Sequence, residues 1–323
     1  MRFSRLGVLA LLTLTVLLST NCSYYNRILS RKSLVDGSEA YKARKFQAAE
    51  DLFRQAVARD PEGKTLEGKT AQLFLARTLH SEYIGNRQNG KEKAEQAIAE
   101  YKKALVVDKN DQASYKAIAS LYENIQNQDE WQKWVNERAG NTQIEPQFRA
   151  EALTSLAARQ NTCANEVTDT EKTKKTVKKD GKDVFEFVKP ESNEDFERLK
   201  VCVAEGNKLI SEAVSLEPES VKSARNLNVK ALSDDELKKN NDLIKIFESA
   251  RSYKASLVGQ AMRLAEMDGR TADRDKLKTE ADQAKAQFVE LSDINKSLQN
   301  EIEARIAAKL EEENANSNSD TKK

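Results

Sequence analysis

The stretch Gly37–Pro61, GSEAYKARKFQAAEDLFRQAVARDP, constrains this chain more than any other. Small or aromatic residues fall at Gly37, Tyr41, Phe46, Ala49, Phe53 and Ala56, and Pro61 closes the run. Ala49, Phe53 and Ala56 are three and four residues apart, the spacing of one helical face. Tyr41 and Phe46 bracket a turn at residues 43–45. The pattern predicts a helix-turn-helix hairpin in which small residues let two helices approach and the rings fill the remaining space. One such hairpin cannot bury its own apolar face, so neighbours must stack on it.

Related spacings return downstream. Leu73, Phe74, Ala76 and Leu79 mark a helix, and Ala97, Tyr101, Ala104 and Leu105 mark its partner beyond a loop around residues 84–90. Tyr115, Ile118, Ala119 and Tyr122 begin a third pair, completed by Trp131, Trp134 and Val135. The two tryptophans either fill the core between repeats or serve as partner-binding hot spots. Pro146 opens a fourth first helix carrying Phe148, Ala152, Leu156 and Ala157 and ending near Cys163. Its partner comes only at 196–216, with Leu199, Val203, Gly206, Ile210 and Ala213 on one face.

These spacings resemble the tetratricopeptide repeat, a unit of about 34 residues, most strongly in Gly37–Pro61. The resemblance implies an all-α solenoid of helical hairpins over residues 33–218. It also implies a concave side, lined by first helices, that receives a peptide or helix of a protein partner. Carried onto this chain, the repeat pattern puts Tyr41, Lys42, Arg77, His80, Lys116, Glu123 and Asn124 near that side. Taken singly, each is equally well read as a solvated face residue.

Composition narrows the chemistry. Gly and Pro number 11 and 4 in 323 residues, which favours helix throughout. Lys and Arg total 53 against 52 Asp and Glu, so no global field draws nucleic acid. His80 is the only histidine, without a second His or a Cys in its pattern to complete a metal site. The chain has no phosphate-binding glycine loop and no serine on a strand-turn-helix. No enzyme activity, cofactor or metal is expected.

Residues 166–192 form an insertion into the fourth pair. Asp180-Gly181 between 173–179 and 182–188 is a hairpin signal. A two-residue loop pairs Lys178 with Asp183, Val177 with Val184 and Lys175 with Glu186. Lys172, Lys174, Lys175, Lys178, Lys179 and Lys182 either coat a solvated hairpin or contact an anion. Residues 219–269 form a divergent helical region, opened by a capping box at Ser233 and Glu236. Tyr253, Gly259 and Met262 in it faintly resemble a fifth repeat. In 270–312, Leu277, Ala281, Ala284, Phe288, Leu291, Asn295, Leu298 and Ile302 alternate by three and four, a heptad with one polar position. That helix either caps the solenoid or pairs in a coiled coil. The polar tail, 313–323, is expected to be disordered.

At the other end, Arg2 and Arg5 precede an apolar run, Leu6 to Leu18, that as a helix spans about 20 Å against a hydrocarbon core of roughly 30 Å. It reads as a signal peptide over residues 1–21. Leu18-Ser19-Thr20-Asn21-Cys22 resembles a bacterial lipoprotein signal. That implies palmitate on Cys22, a lipidated tether over 22–32 and, with Ser23 next, a periplasm-facing place on the outer membrane. A secreted or soluble periplasmic protein is the alternative. With Cys22 taken by lipid, Cys163 and Cys202 are an even pair in an oxidising compartment, expected to be bonded rather than two buried thiols. The whole is similar to tetratricopeptide lipoproteins that assist β-barrel assembly or pilus biogenesis, implying a membrane-anchored protein-interaction scaffold of the cell envelope. Its rivals are a structural coiled-coil envelope protein and a regulatory subunit of a periplasmic enzyme.

Overall fold

The computed structural model describes the backbone of residues 5–320 and the side chains of residues 24–313. The expected signal segment, the acylated Cys22 and the polar tail from 314 on lie outside the residues whose side chains are described. No helix among the described residues is long and apolar enough to cross a membrane. Contacts divide the chain into two units, residues 1–131 and 132–323. The boundary falls within residues 33–218, the expected run of repeats.

In the first unit, α1 (Arg5–Lys42) and α2 (Phe46–Arg59) form the hairpin expected around the turn at 43–45. Arg44 takes a left-handed φ of 58° there, while Lys45 N–H donates to Ala40 O. Gly37 shows why the position is small: a β-carbon would lie 2.7 Å from the ring of the fully buried Phe53. Residues 24–32, expected as a tether, continue α1, and the buried Ser30 donates to Ala56 O at 3.2 Å on α2.

α3 (Leu66–Gly85) starts from a two-step cap. Asp60 accepts from Thr65 N–H and Oγ1, both at 2.7 Å, and Thr65 Oγ1 in turn accepts from Gly68 N–H at 3.0 Å. That cap satisfies a helix N-terminus with short side chains. α4 (Lys91–Val107) packs on α3, and α5 (Gln112–Asn124), capped by Asp111, packs on α4. Ala49, Phe53, Ala56, Ala97, Tyr101 and Ala104 are all buried, as the repeated spacing requires. Trp131, in α6 (Gln128–Gly140), is buried as a core residue, and Trp134 is half-buried.

In the second unit, α7 (Pro146–Thr168) runs five residues beyond Cys163, the end expected for it. β1 (Lys174–Lys179) and β2 (Lys182–Phe187) pair antiparallel in the expected register, Lys178 with Asp183, Val177 with Val184, Lys175 with Glu186. Asp180 and Gly181 have φ of 52° and 76°, the mirror-image turn that matches strand twist. The side chains sort differently from the backbone: Lys175 Nζ donates to Glu171 O at 2.8 Å, and the cross-strand ion pair is Lys179–Glu186 at 3.9 Å. Phe187 packs with Ala164, Val167, Phe196 and Leu199, against Cys163–Cys202, a disulfide with Cα atoms 6.1 Å apart. The bond therefore sits at the base of the hairpin, between α7 and α8 (Asn193–Ser215).

A short helix α9 (Glu219–Lys222) and two single turns lead to α10 (Asp234–Met267), whose capping box between Ser233 and Glu236 is complete. α10 packs on both α7 and α8. Gly206 of α8 permits the approach: a β-carbon there would meet Leu257 at 2.6 Å and Gln160 Cβ at 3.0 Å. After Gly269, with φ of 72°, α11 (Thr271–Asp320) folds back along α10. Ala284, Leu291, Asn295 and Leu298 are buried on this seam, and the polar heptad position Asn295 donates to Glu248 of α10. The far end is tied down by Arg305, which donates to Leu232 O at 2.8 Å and to Asp234 at 2.9 Å. The heptad of α11 thus faces a helix of its own chain.

Two outcomes follow. Gly37→Ala forces Phe53 or the helix to move and is expected to lower stability by about 1–3 kcal/mol in urea unfolding, whereas Gly85→Ala, which meets nothing within 4 Å, leaves it unchanged or slightly raised. Peptide mapping of the non-reduced protein should show a Cys163–Cys202 linked peptide, and Cys163→Ser with Cys202→Ser should lose about 2–4 kcal/mol of stability.

Candidate protein-binding cleft

On α3, Phe74, Arg77, Ser81 and Ile84 are spaced by three, four and three residues and so share one face. That face meets the end of α1 through rings. Phe74 tilts against Phe53 at 5.5 Å and stands edge-on to Tyr41 at 6.0 Å, and Tyr41 meets Phe46 edge-on at 5.5 Å. Each such pair contributes roughly 0.5–1.5 kcal/mol beyond burial. Tyr41 Oη lies 3.1 Å from Ser81 Oγ, and the Arg77 guanidinium lies over the Phe74 ring at 5.5 Å. Tyr41 is thereby held at ring and hydroxyl.

Tyr41, Phe46, Ser81 and Ile84 line a cleft of about 500 Å³ with Lys42 and Arg44 at its edge. Ile84 is 52% exposed. Lys42 and Arg44 are exposed, and neither is in an ion pair among the described residues. The cleft therefore joins an apolar floor to two available cations.

A buried clasp holds the three helices behind it. Lys93 of α4 reaches Glu82 of α3 at 2.7 Å and Glu50 of α2, and Arg54 reaches Glu50 at 2.7 Å. Burial pushes the Glu50 carboxyl up, but hydrogen bonds from Lys93 and Arg54 outweigh it and hold the group below its ordinary value. Burial, helped by the nearby Glu50 charge, raises Glu82 despite Lys93. The same two carboxylates raise Lys93 against its own burial.

The seven residues expected on the concave side separate. Tyr41 and Lys42 line the cleft, and Arg77 sits beside it on Phe74. His80 is engaged between α3 and α4, with Nδ1 at 3.3 Å from Tyr101 Oη. Burial, then the Arg87 charge, holds its imidazole below the ordinary value and so neutral at pH 7, while burial raises the Tyr101 phenol. Lys116, Glu123 and Asn124 are exposed on α5, with Asn124 donating to Ser120 at 3.4 Å. α5 is joined to α4 through Lys102, which donates to Tyr122 Oη at 2.9 Å. Arg44, Ser81 and Ile84 are cleft residues that pattern reasoning passed over. The 74-77-81-84 stripe was the available signal for the two on α3.

Ser81 Oγ donates to Arg77 O at 2.9 Å and meets Tyr41, so its hydroxyl is committed to structure. Among the described residues no group of three His, Cys, Asp or Glu side chains is placed to hold a metal ion.

No protein-family model matches the chain, and no curated protein does. A solved structure titled "Functional Characterization of Pseudomonas Aeruginosa pilF" is similar over 84% of this chain and 99% of that one, at 12% identity and a TM-score of 0.32. A likeness that distant transfers nothing about function.

The clasp has a pH signature. Glu50, lowered from 4.5, adds stability that is present above about pH 4.5 and is lost as pH falls through its folded value. Glu82, raised from 4.5, acts with the opposite sign, removing stability as pH rises from 4.5 toward its folded value. Glu50→Gln should therefore cost on the order of 1–2 kcal/mol at pH 7 in urea unfolding, a gap that closes below pH 4.5. A gap constant from pH 3 to 7 contradicts this reading.

Proposed function

We propose that this chain is a non-enzymatic scaffold that receives a short segment of a protein partner in the Tyr41–Phe46–Ile84 cleft, held at a bacterial envelope membrane by lipid on Cys22. The observation that carries the binding reading is the pairing of an exposed apolar floor with Lys42 and Arg44, cations that no carboxylate of the described residues takes up. An apolar side chain flanked by Asp or Glu satisfies both features, since the floor removes apolar surface from water and the edge supplies charge complementarity. The anchor rests on the likeness of residues 18–22 to a lipoprotein signal, and Ser23 in the next position supports a periplasm-facing site on the outer membrane. The coiled-coil rival loses its main support, because the heptad seam of α11 is occupied by α10.

The test is crosslinking capture by the full-length chain in intact cells. Tyr41→Ala combined with Lys42→Glu and Arg44→Glu should reduce the captured partner about tenfold or more, while Lys116→Glu on α5 leaves it unchanged. Identical captured proteins from both variants and the parent contradict the assignment.

A further inference from the structure

The outward face of α1 near Cys22 carries an apolar stripe that the first unit does not use. Tyr24, Ile28, Arg31 and Val35 are spaced by four, three and four residues, so they share one side of the helix. Tyr25 and Lys32, seven apart, run beside them. Tyr24 is 67% exposed, Tyr25 61%, and Ile28 and Val35 50% each. The opposite side of the same helix is the packed one, where Ser30 bonds Ala56 O and Gly37 meets Phe53. α1 therefore has two apolar faces, and only one lies against protein among the described residues.

Cations surround that stripe. Arg27 reaches Glu67 at 3.1 Å, and Arg59 donates to Asn26 at 3.4 Å, which brings the start of α3 and the end of α2 alongside. Tyr24, Arg27, Arg59 and Lys64 line one cleft of about 450 Å³. Leu66, 73% exposed, lies between Thr65 of that cleft and Glu67. The carboxylates of the neighbouring elements are engaged, Glu67 with Arg27, Glu62 with Lys64 at 2.7 Å, and Asp60 with the backbone of Lys64 and Thr65, which leaves Asp36 of α1 as the nearby carboxylate without an ion pair among the described residues. Arg31, Lys32 and Arg59 form no ion pair among the described residues, which leaves net positive charge around exposed rings and aliphatic groups.

We infer that this face of α1 lies on an anionic phospholipid surface. Tyrosine rings suit the headgroup layer, with an apolar body and a polar tip; Ile28, Val35 and Leu66 suit the acyl boundary beneath it. Arginine takes phosphate oxygens in a two-point contact, and lysine adds charge. The inference rests on the reading that the N-terminal segment holds the chain at a membrane. Cys22 is two residues from Tyr24, so an anchor there delivers this stripe to the headgroups. The outcome is an orientation: the first unit is held against the bilayer along α1 instead of swinging from it.

The test uses the full-length chain with the reporter substitution Tyr25→Trp, reconstituted in phosphatidylcholine vesicles with and without phosphatidylglycerol, all with brominated acyl chains. The reporter signal is the difference from the parent chain, which has Trp131 and Trp134. Quenching should be at least about threefold stronger with phosphatidylglycerol, and Arg31→Glu, Lys32→Glu and Arg59→Glu together should abolish that gain without changing the circular dichroism. An unquenched reporter on phosphatidylglycerol vesicles, or quenching indifferent to charge reversal, overturns the inference. So does a crosslink from position 25 to a protein together with absent quenching, which assigns the stripe to a protein partner. Palmitate labelling of the parent against Cys22→Ala reads the anchor separately: a labelled chain without quenching removes only the docking, and an unlabelled chain that is quenched removes only the lipid.

Discussion

Phe53 is fully buried, with its ring against Gly37 of α1, where no side chain intervenes, and 5.5 Å from Phe74 of α3. Burying such a ring is worth roughly 1.5–3 kcal/mol, realised only if both helices come this close. The ring contacts continue from Phe53 through Phe74 to Tyr41 and Phe46. The packing that fixes three helices therefore also presents a tyrosine, pinned by Ser81, to solvent. Stability and the candidate site are consequences of the same contacts, and the Lys93 clasp ties α2 and α3 to α4 through charge.

The second unit solves the problem with different residues. Gly206 plays the part that Gly37 plays in the first, admitting Leu257 of α10. Around it are buried polar pins like those of the first unit, where Ser30 donates to Ala56 O and Gln72 to Glu100 O: Asn207 donates to Leu257 O at 3.1 Å, and the buried Thr168 donates to Gln260 at 2.9 Å, which itself donates to Asn165. Buried polar groups of this sort are tolerated only when satisfied, and they then fix one arrangement. With the disulfide at its base, the hairpin is a secured element. Phe187 is its inward anchor, and Phe185, 60% exposed, lies under Lys174 at 4.4 Å.

How much of this was legible depended on whether the signal was local. Asp180-Gly181 dictates a two-residue turn, and from it every strand pair follows. Ser233 and Glu236 are three apart and cap α10 as their spacing implies. The three-and-four alternation at Ala49, Phe53 and Ala56 marked a buried face, and the heptad of α11 marked an apolar stripe without revealing whether it caps or pairs, or that α10 lies against it. What stayed hidden was set by packing between distant segments. Glu50 and Lys93 are 43 residues apart, and nothing in either neighbourhood announces the pair. Ser81 and Ile84 looked like ordinary helix surface until Tyr41 was placed against them. The continuation of α1 through residues 24–32 was obscured because polar and basic residues there read as a tether, whereas Ser30 is held by a backbone carbonyl one helix away.

α1, α2 and α3 form one cooperative assembly organised by Phe53, with the cleft as its surface. Native-state hydrogen exchange on the full-length Phe53→Leu variant tests it most directly. The amides of residues 24–42, of α2 and of α3 should lose protection together, converging on one reduced opening free energy. Loss confined to α2, with α1 and α3 protected as in the parent, would contradict it.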